Sequence, residues 1–328
     1  MDLERAGWNS YFAAKMPNLK KDQHIGRISS QQKNRYQIIG HEYEVPAVIS
    51  GRLFHKSNSS SELPVIGDWV VYKMAEEFAR IISVIPRRTE LMRDTGTRKG
   101  RYNTSPQVII ANVDIIFMVA ALDAAVNLRR IERYLTIISE SGAKPVIILN
   151  KADRCENTHQ EIKRVESIAG EIPIHATIAK DKTGLDQLSQ YGKKGDTIAF
   201  IGSSGVGKST LLNALIGKKK MRVAITENNH GKELHTTTHR QLFIMDDGRI
   251  LVDNPGMRAV QLHTNEQGLN KAFADIHQLS DLCRFRNCSH KNEPDCAVKT
   301  AVEQGKISRD RYNSYIKLNQ ELDEKKRY

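Results

Sequence analysis

Four cysteines in 328 residues are too few to frame a secreted, disulfide-held fold, and three of them crowd between Cys283 and Cys296. That clustering is the pattern of metal ligation in reducing surroundings. Aromatic residues are scarce, at 6%, and long apolar runs are missing. The longest run, Ile115 to Leu122, falls far short of the roughly 20 residues a spanning helix needs, so no membrane segment is expected. The N-terminus, MDLERAGWNSYFAAK, carries charge from its second position and has no continuous apolar core, so no secretory signal is expected. A soluble, cytoplasmic protein is therefore expected, and because nothing in the sequence demands a dimer it is read as a monomer. Acidic residues are also in short supply: 38 against 50 Lys plus Arg, a net charge of +12. A nucleotide alone does not call for that excess. A polyanion such as RNA fits it better, although a solvated basic surface gives the same count.

What is present divides into three pieces, read as residues 1–100, 101–262 and 263–328. In the first, short alternating segments rich in β-branched residues occur at Ile25–Ile28, Tyr36–Ile39, Glu42–Ile49, Asp68–Lys73 and Arg80–Ile85. Lys56–Glu62 (KSNSSSE) reads as a loop. Five such strands in so short a span predict a small closed barrel of the OB type. Residues Arg87–Arg101 read as an irregular basic linker, with phosphate contact and simple solvation both open. In the second piece, apolar strands at Ile115–Ala121, Val146–Leu149, Ile172–Ile178, Thr197–Ile201, Leu242–Met245 and Ile250–Val252 alternate with helical spacing. Unbroken runs of this kind predict a doubly wound α/β sheet with its ligand loops at the strand carboxyl ends. The third piece reads as helical around the cysteine segment, with Tyr312, Tyr315, Ile316, Leu318 and Leu322 as a stripe on a terminal helix.

The order of two motifs is the most informative feature. Asn150-Lys151-Ala152-Asp153 comes first, and the phosphate-loop pattern Gly202-Ser203-Ser204-Gly205-Val206-Gly207-Lys208-Ser209, followed by Thr210, comes later. In an ordinary small GTPase the phosphate loop precedes NKxD, so the chain reads as a circularly permuted P-loop GTPase. The loop's glycines let successive N–H groups face a phosphate at a helix N-terminus. Lys208 is expected to reach the β- and γ-phosphates and Ser209 to hold Mg2+. The Asp153 carboxylate matches the two donors on guanine's Watson–Crick edge, a pair adenine lacks. Asn150 is expected to bridge toward the base and the phosphate loop and Lys151 to pack over the purine, while Ala179 offers a backbone N–H to the guanine oxygen. Asp253-Asn254-Pro255-Gly256 matches DxxG: Asp253 faces Mg2+ through a water, and Gly256 senses the γ-phosphate. Within His235-Thr236-Thr237-Thr238, Thr237 is the candidate to complete the metal shell. Met257 stands where small GTPases place a water-orienting glutamine. His235 is the first candidate for that work and His239 the second, with solvent-facing loop histidines as the alternative.

Cys283, Cys288, His290 and Cys296 make a closed set of three thiolates and one imidazole, the composition of a structural Zn2+ site. Cys155 reads as a lone thiol.

Taken in order, NKAD, GSSGVGKST, HTTT, DNPG and the Cys/His segment resemble the RsgA (YjeQ) family of circularly permuted GTPases. Leu63–Asp68 (LPVIGD) and Pro86–Leu91 (PRRTEL) extend the resemblance over nearly the whole chain. It implies a multidomain protein with an OB barrel, a permuted GTPase domain and a helical zinc-binding domain. It further implies binding to the immature small ribosomal subunit and 16S rRNA, subunit-stimulated GTP hydrolysis to GDP and phosphate, and a catalytic role for His235. Asn254 in place of a usual threonine, the degenerate pair at Ile178-Ala179, and Gly231–His235 depart from the family pattern. Two other readings compete: a passive RNA binder whose nucleotide site is only a switch or a relic, and a P-loop ATPase or kinase, which Asp153 disfavours.

Overall fold

The computed structural model describes residues 3–32, 34–40, 44–57, 59–93, 97–98, 101–102, 106–217, 240–253 and 265–326. After the short helix α1 (Ser10–Ala14) come β1 (His24–Gln32), β2 (Arg35–Ile39), β3 (Glu44–Ile49), α2 (Gly51–Lys56), β4 (Trp69–Ala75) and β5 (Phe78–Val84). The five strands pair in the order β1-β2-β3-β5-β4 and close through β4 onto β1, with only β3 and β5 parallel within this set. Alternation supplies the reason for closure: Ile28, Ile38, Val45, Val70, Tyr72 and Ile81 all point into one buried cluster. Helix α2 was not legible in the sequence. It is capped by Ser50, whose hydroxyl accepts from Leu53 N at 3.2 Å, and its six residues are too few to establish a helical period.

The segment read as an irregular linker is in part ordered, which corrects that expectation. β6 (Glu90–Arg93) precedes a hairpin of β7 (Thr97–Arg98) and β8 (Arg101–Tyr102), and it pairs antiparallel with β9 (Gln107–Ala111). Leu91 is the reason, since its side chain is buried in the main core. Arg87 is likewise spoken for. Its guanidinium grips Asp68 through two bonds of 2.8 Å and donates to Ser61 O and Leu63 O. The LPVIGD and PRRTEL segments are therefore two halves of one fork-to-carboxylate clasp.

The second unit runs β10 (Ile115–Ala121), α3 (Leu128–Ser141), β11 (Lys144–Asn150), α4 (Thr158–Ala169), β12 (Ile174–Thr177), β13 (Thr197–Gly202), α5 (Lys208–Ile216), β14 (Arg240–Ile244) and β15 (Ile250–Asp253). Its strands lie in the order β12-β11-β10-β13-β15-β14, parallel except for β14. β14 also pairs with the end of β1, so barrel and α/β unit share one continuous sheet. Arg27 sits at that junction, 2% exposed, and donates to Gly67 O, Ala6 O, Asn112 O and Thr197 Oγ1. Burial pulls its pKa down to about 10, so it remains a cation at neutral pH. Replacing Arg27 by Ala is expected to cost about 3–5 kcal/mol, because four buried acceptors on four segments lose their donor. Urea unfolding of the two proteins checks this.

The last unit packs α6 (Glu266–Ala272), α7 (Ala274–Ser280), α8 (Ala297–Glu303) and α9 (Arg309–Lys326) around Leu269, Phe273, Ile276, Val298 and Tyr315. Arg311 of α9 fastens it to the α/β unit. The guanidinium holds Asp275 through bonds of 2.6 and 2.7 Å, reaches Glu132 of α3 at 3.2 Å, and lies over the Phe273 ring. No helix among the described residues is long and apolar enough to cross a membrane.

Candidate functional site

Because β10, β11, β12, β13 and β15 are parallel, the loops that follow them open on one edge of the sheet. β10 is the ruler: Val119 aligns with Gly202 on one side and Ala121 with Asn150 on the other. The two motifs, far apart in sequence, thus begin within two residues of each other along a shared strand.

Asn150 joins them directly. It is buried, its Nδ2 donates to Val206 O of the phosphate loop at 2.9 Å, and its Oδ1 accepts from Ala179 N at 3.1 Å and Thr177 Oγ1 at 3.3 Å. The Ala179 N–H, expected to face a guanine oxygen, is thus donated to Asn150 here. Thr177 was not singled out from the sequence, although its place beside Ala179 was a usable signal. Ala152 and Asp153 form a short turn after the motif strand, with Asp153 exposed at the same edge. Lys151 adopts φ 63°, and its ammonium pairs with Asp123 at 2.5 Å, which holds the Asp123 carboxyl below its usual range. Asp123 belongs to no motif, and only the fold brings it here.

In the phosphate loop, Gly202 and Gly207 have φ of 147° and 96°, and at both a side chain would also collide with a neighbour. At Gly202 that neighbour is Val119 O; at Gly207 it is Asn150 Nδ2. Ser204 and Gly205 are exposed, whereas Val206 is buried. The N-terminus of α5 begins at Gly207 with no side-chain cap, so its first amides are left facing the loop. Lys208 folds over that loop and donates to Gly202 O at 3.0 Å and Ser203 O at 2.6 Å. Burial lowers its pKa, and Asp253 at the end of the neighbouring strand β15 opposes that shift. Ser209 and Thr210 are exposed on the first turn of α5. Outside the loop, Arg130 donates to Ser203 Oγ at 3.1 Å, another contact that no sequence pattern announced. His235, Thr237, His239 and Gly256 lie outside the described residues.

The Cys/His set is drawn together, its four ligand atoms all lying within 4.8 Å of one another. His290 Nδ1 is 3.4 Å from Cys296 Sγ and 3.6 Å from Cys283 Sγ, and those two sulfurs are 3.9 Å apart. Zinc–ligand bonds of about 2.0–2.3 Å in a tetrahedron space the ligands at such distances. Burial lowers the His290 pKa, which favours the neutral ring a metal needs. Tyr312 of α9 pins the loop by donating to His290 O at 2.7 Å.

The profile of the RsgA GTPase family matches residues 84–263. The small ribosomal subunit biogenesis GTPase RsgA of Methanosarcina acetivorans is 40% identical over 96% of this chain and 84% of its own length. The protein of the same name from Syntrophotalea carbinolica is 39% identical over 98% of this chain and 90% of its own. Among solved structures, YjeQ from Thermotoga maritima superposes with a TM-score of 0.67 at 28% identity, covering 92% of this chain and 98% of the other.

Proposed function

The chain belongs to the RsgA GTPase family and is a circularly permuted GTP hydrolase of ribosome biogenesis; we propose that it acts late in assembly by binding the small (30S) subunit and its 16S rRNA, which raise its GTP turnover. The observation that carries this reading is the Asn150 side chain, which bonds the phosphate loop and the Ala179 loop at once and so supports one nucleotide pocket built from both. In that pocket Asp153 reads the two guanine donors and Lys151 covers the base, its ammonium steadied by Asp123. The amides of Ser203 to Thr210 hold the β-phosphate, and Lys208 turns from its loop carbonyls to the β- and γ-oxygens. Ser209, Asp253 and Thr237 would hold Mg2+, which supplies charge neutralisation across the β- and γ-phosphates. His235, with His239 as the alternative, is proposed to orient the attacking water, and Gly256 to sense the γ-phosphate. Cys283, Cys288, His290 and Cys296 are proposed as a structural zinc site, with all four positions taken by protein.

The net charge of +12 supports an RNA partner. The test is GTP turnover with and without purified small subunits across a salt titration. Stimulation that fades steeply with salt is expected, since phosphate contacts release counterions. An unchanged rate on adding subunits would overturn the proposed coupling. Asp153→Asn is expected to weaken GTP binding about a hundredfold, as two charge-assisted hydrogen bonds of roughly 1.5–3 kcal/mol each are disturbed. Comparison of GTP and ATP affinities for the two proteins checks it, and equal affinity of the native chain for both nucleotides would rule out guanine reading.

A further inference from the structure

Beside the phosphate loop, a cavity of about 390 Å³ is bordered by Ser203, Ser204 and Gly205 on one side and by Asp123, Lys151 and Arg130 on the others. Of its two cations, Lys151 is paired with Asp123. Arg130 is exposed, and its guanidinium donates to Ser203 Oγ at 3.1 Å. The backbone beneath it is fixed. Asn127 caps α3 by accepting from Arg130 N at 3.1 Å, and two residues on, Glu132 is bonded to Arg311. A long cationic side chain on a rigid helical turn, touching the second residue of a phosphate loop, is well placed to meet a terminal phosphate. The sequence adds a need for such a group, because Met257 cannot orient water or donate a hydrogen bond to phosphate.

We propose that Arg130 is a catalytic residue supplied in cis: with GTP bound, its guanidinium extends past Ser203 to the γ-phosphate and stabilises the charge that develops during hydrolysis. This rests on the nucleotide site proposed above. In the step, a water oxygen bonds to the γ-phosphorus as the bond to the β–γ bridging oxygen breaks. The electron pair of that bond stays with GDP, and the water proton leaves with phosphate or to solvent. Negative charge shifts among the bridging and terminal oxygens, where a guanidinium with several N–H donors has most to offer. One of those donors already serves Ser203.

Single-turnover GTP hydrolysis by the full chain, alone and with saturating small subunits, tests the proposal in Arg130→Ala, Arg130→Lys and the neighbouring control Arg129→Ala. Arg130→Ala is expected to slow the chemical step about a hundredfold or more with GTP affinity changed less than about fivefold. Arg130→Lys should fall between, added guanidinium ion should restore part of the alanine variant's rate, and Arg129→Ala should match the native chain. Thermal unfolding confirms that each variant is folded. An Arg130→Ala rate within threefold of native, or a loss confined to GTP affinity with the chemical step intact, overturns the proposal. Lys208→Ala run alongside separates the two readings. If it abolishes turnover while Arg130→Ala is silent, only Arg130 is lost; if it leaves turnover intact, the nucleotide site itself is wrong.

Discussion

Lys208→Ala is expected to lower GTP turnover by at least about 10²–10³-fold, roughly 3–4 kcal/mol of transition-state stabilisation. In the structure its ammonium is held by the carbonyls of Gly202 and Ser203, over the loop where phosphate is proposed to bind. Those two acceptors preorganise the cation without neutralising it, and burial makes its charge costly until an anion arrives. The loss should persist with saturating small subunits, because no partner can restore a missing donor inside the loop. Lys208→Arg should recover little, since a planar fork replaces a compact ammonium under the same two carbonyls. Measured turnover near the native value in Lys208→Ala would show that the loop is not where GTP is cleaved.

Cys296→Ala should release one equivalent of zinc and unfold the C-terminal helices. Cys296 is both a member of the four-atom cluster and a buried part of the apolar core shared by Phe273, Val298 and Tyr315. Metal binding of this kind is worth an apparent 10–16 kcal/mol or so in small zinc folds, more than so compact a core provides by itself. With the metal gone, α9 should loosen and free Arg311 from Glu132, so the unit detaches from α3. Metal analysis together with hydrogen exchange over residues 265–326 measures both effects. Native zinc-free protein with fully protected C-terminal helices would exclude a structural metal.

Much of this was legible because it depends on local chemistry. NKAD, the phosphate loop and the Cys/His set are short patterns whose residue types suit the guanine, phosphate and metal proposed for them. The barrel and α/β strands followed from side-chain alternation and from unbroken apolar runs. What failed was short or non-local. Helix α2 is too brief to show a period, and β6 was masked by the basic residues around Leu91. Asp123, Thr177 and Arg130 reach the site only because neighbouring parallel strands bring separate loops to one edge.

The sequence by itself determined which chemical groups this protein owns and, through the rotated motif order, that its GTPase parts are permuted. Only the tertiary structure decided that Arg130 touches Ser203 of the phosphate loop, that Arg27 locks the barrel to β13, and that Arg311 moors the C-terminal unit. The reason is physical. A hydrogen bond between residues scores or more positions apart leaves no periodic trace in the chain, and it exists only once the sheet has set their distance.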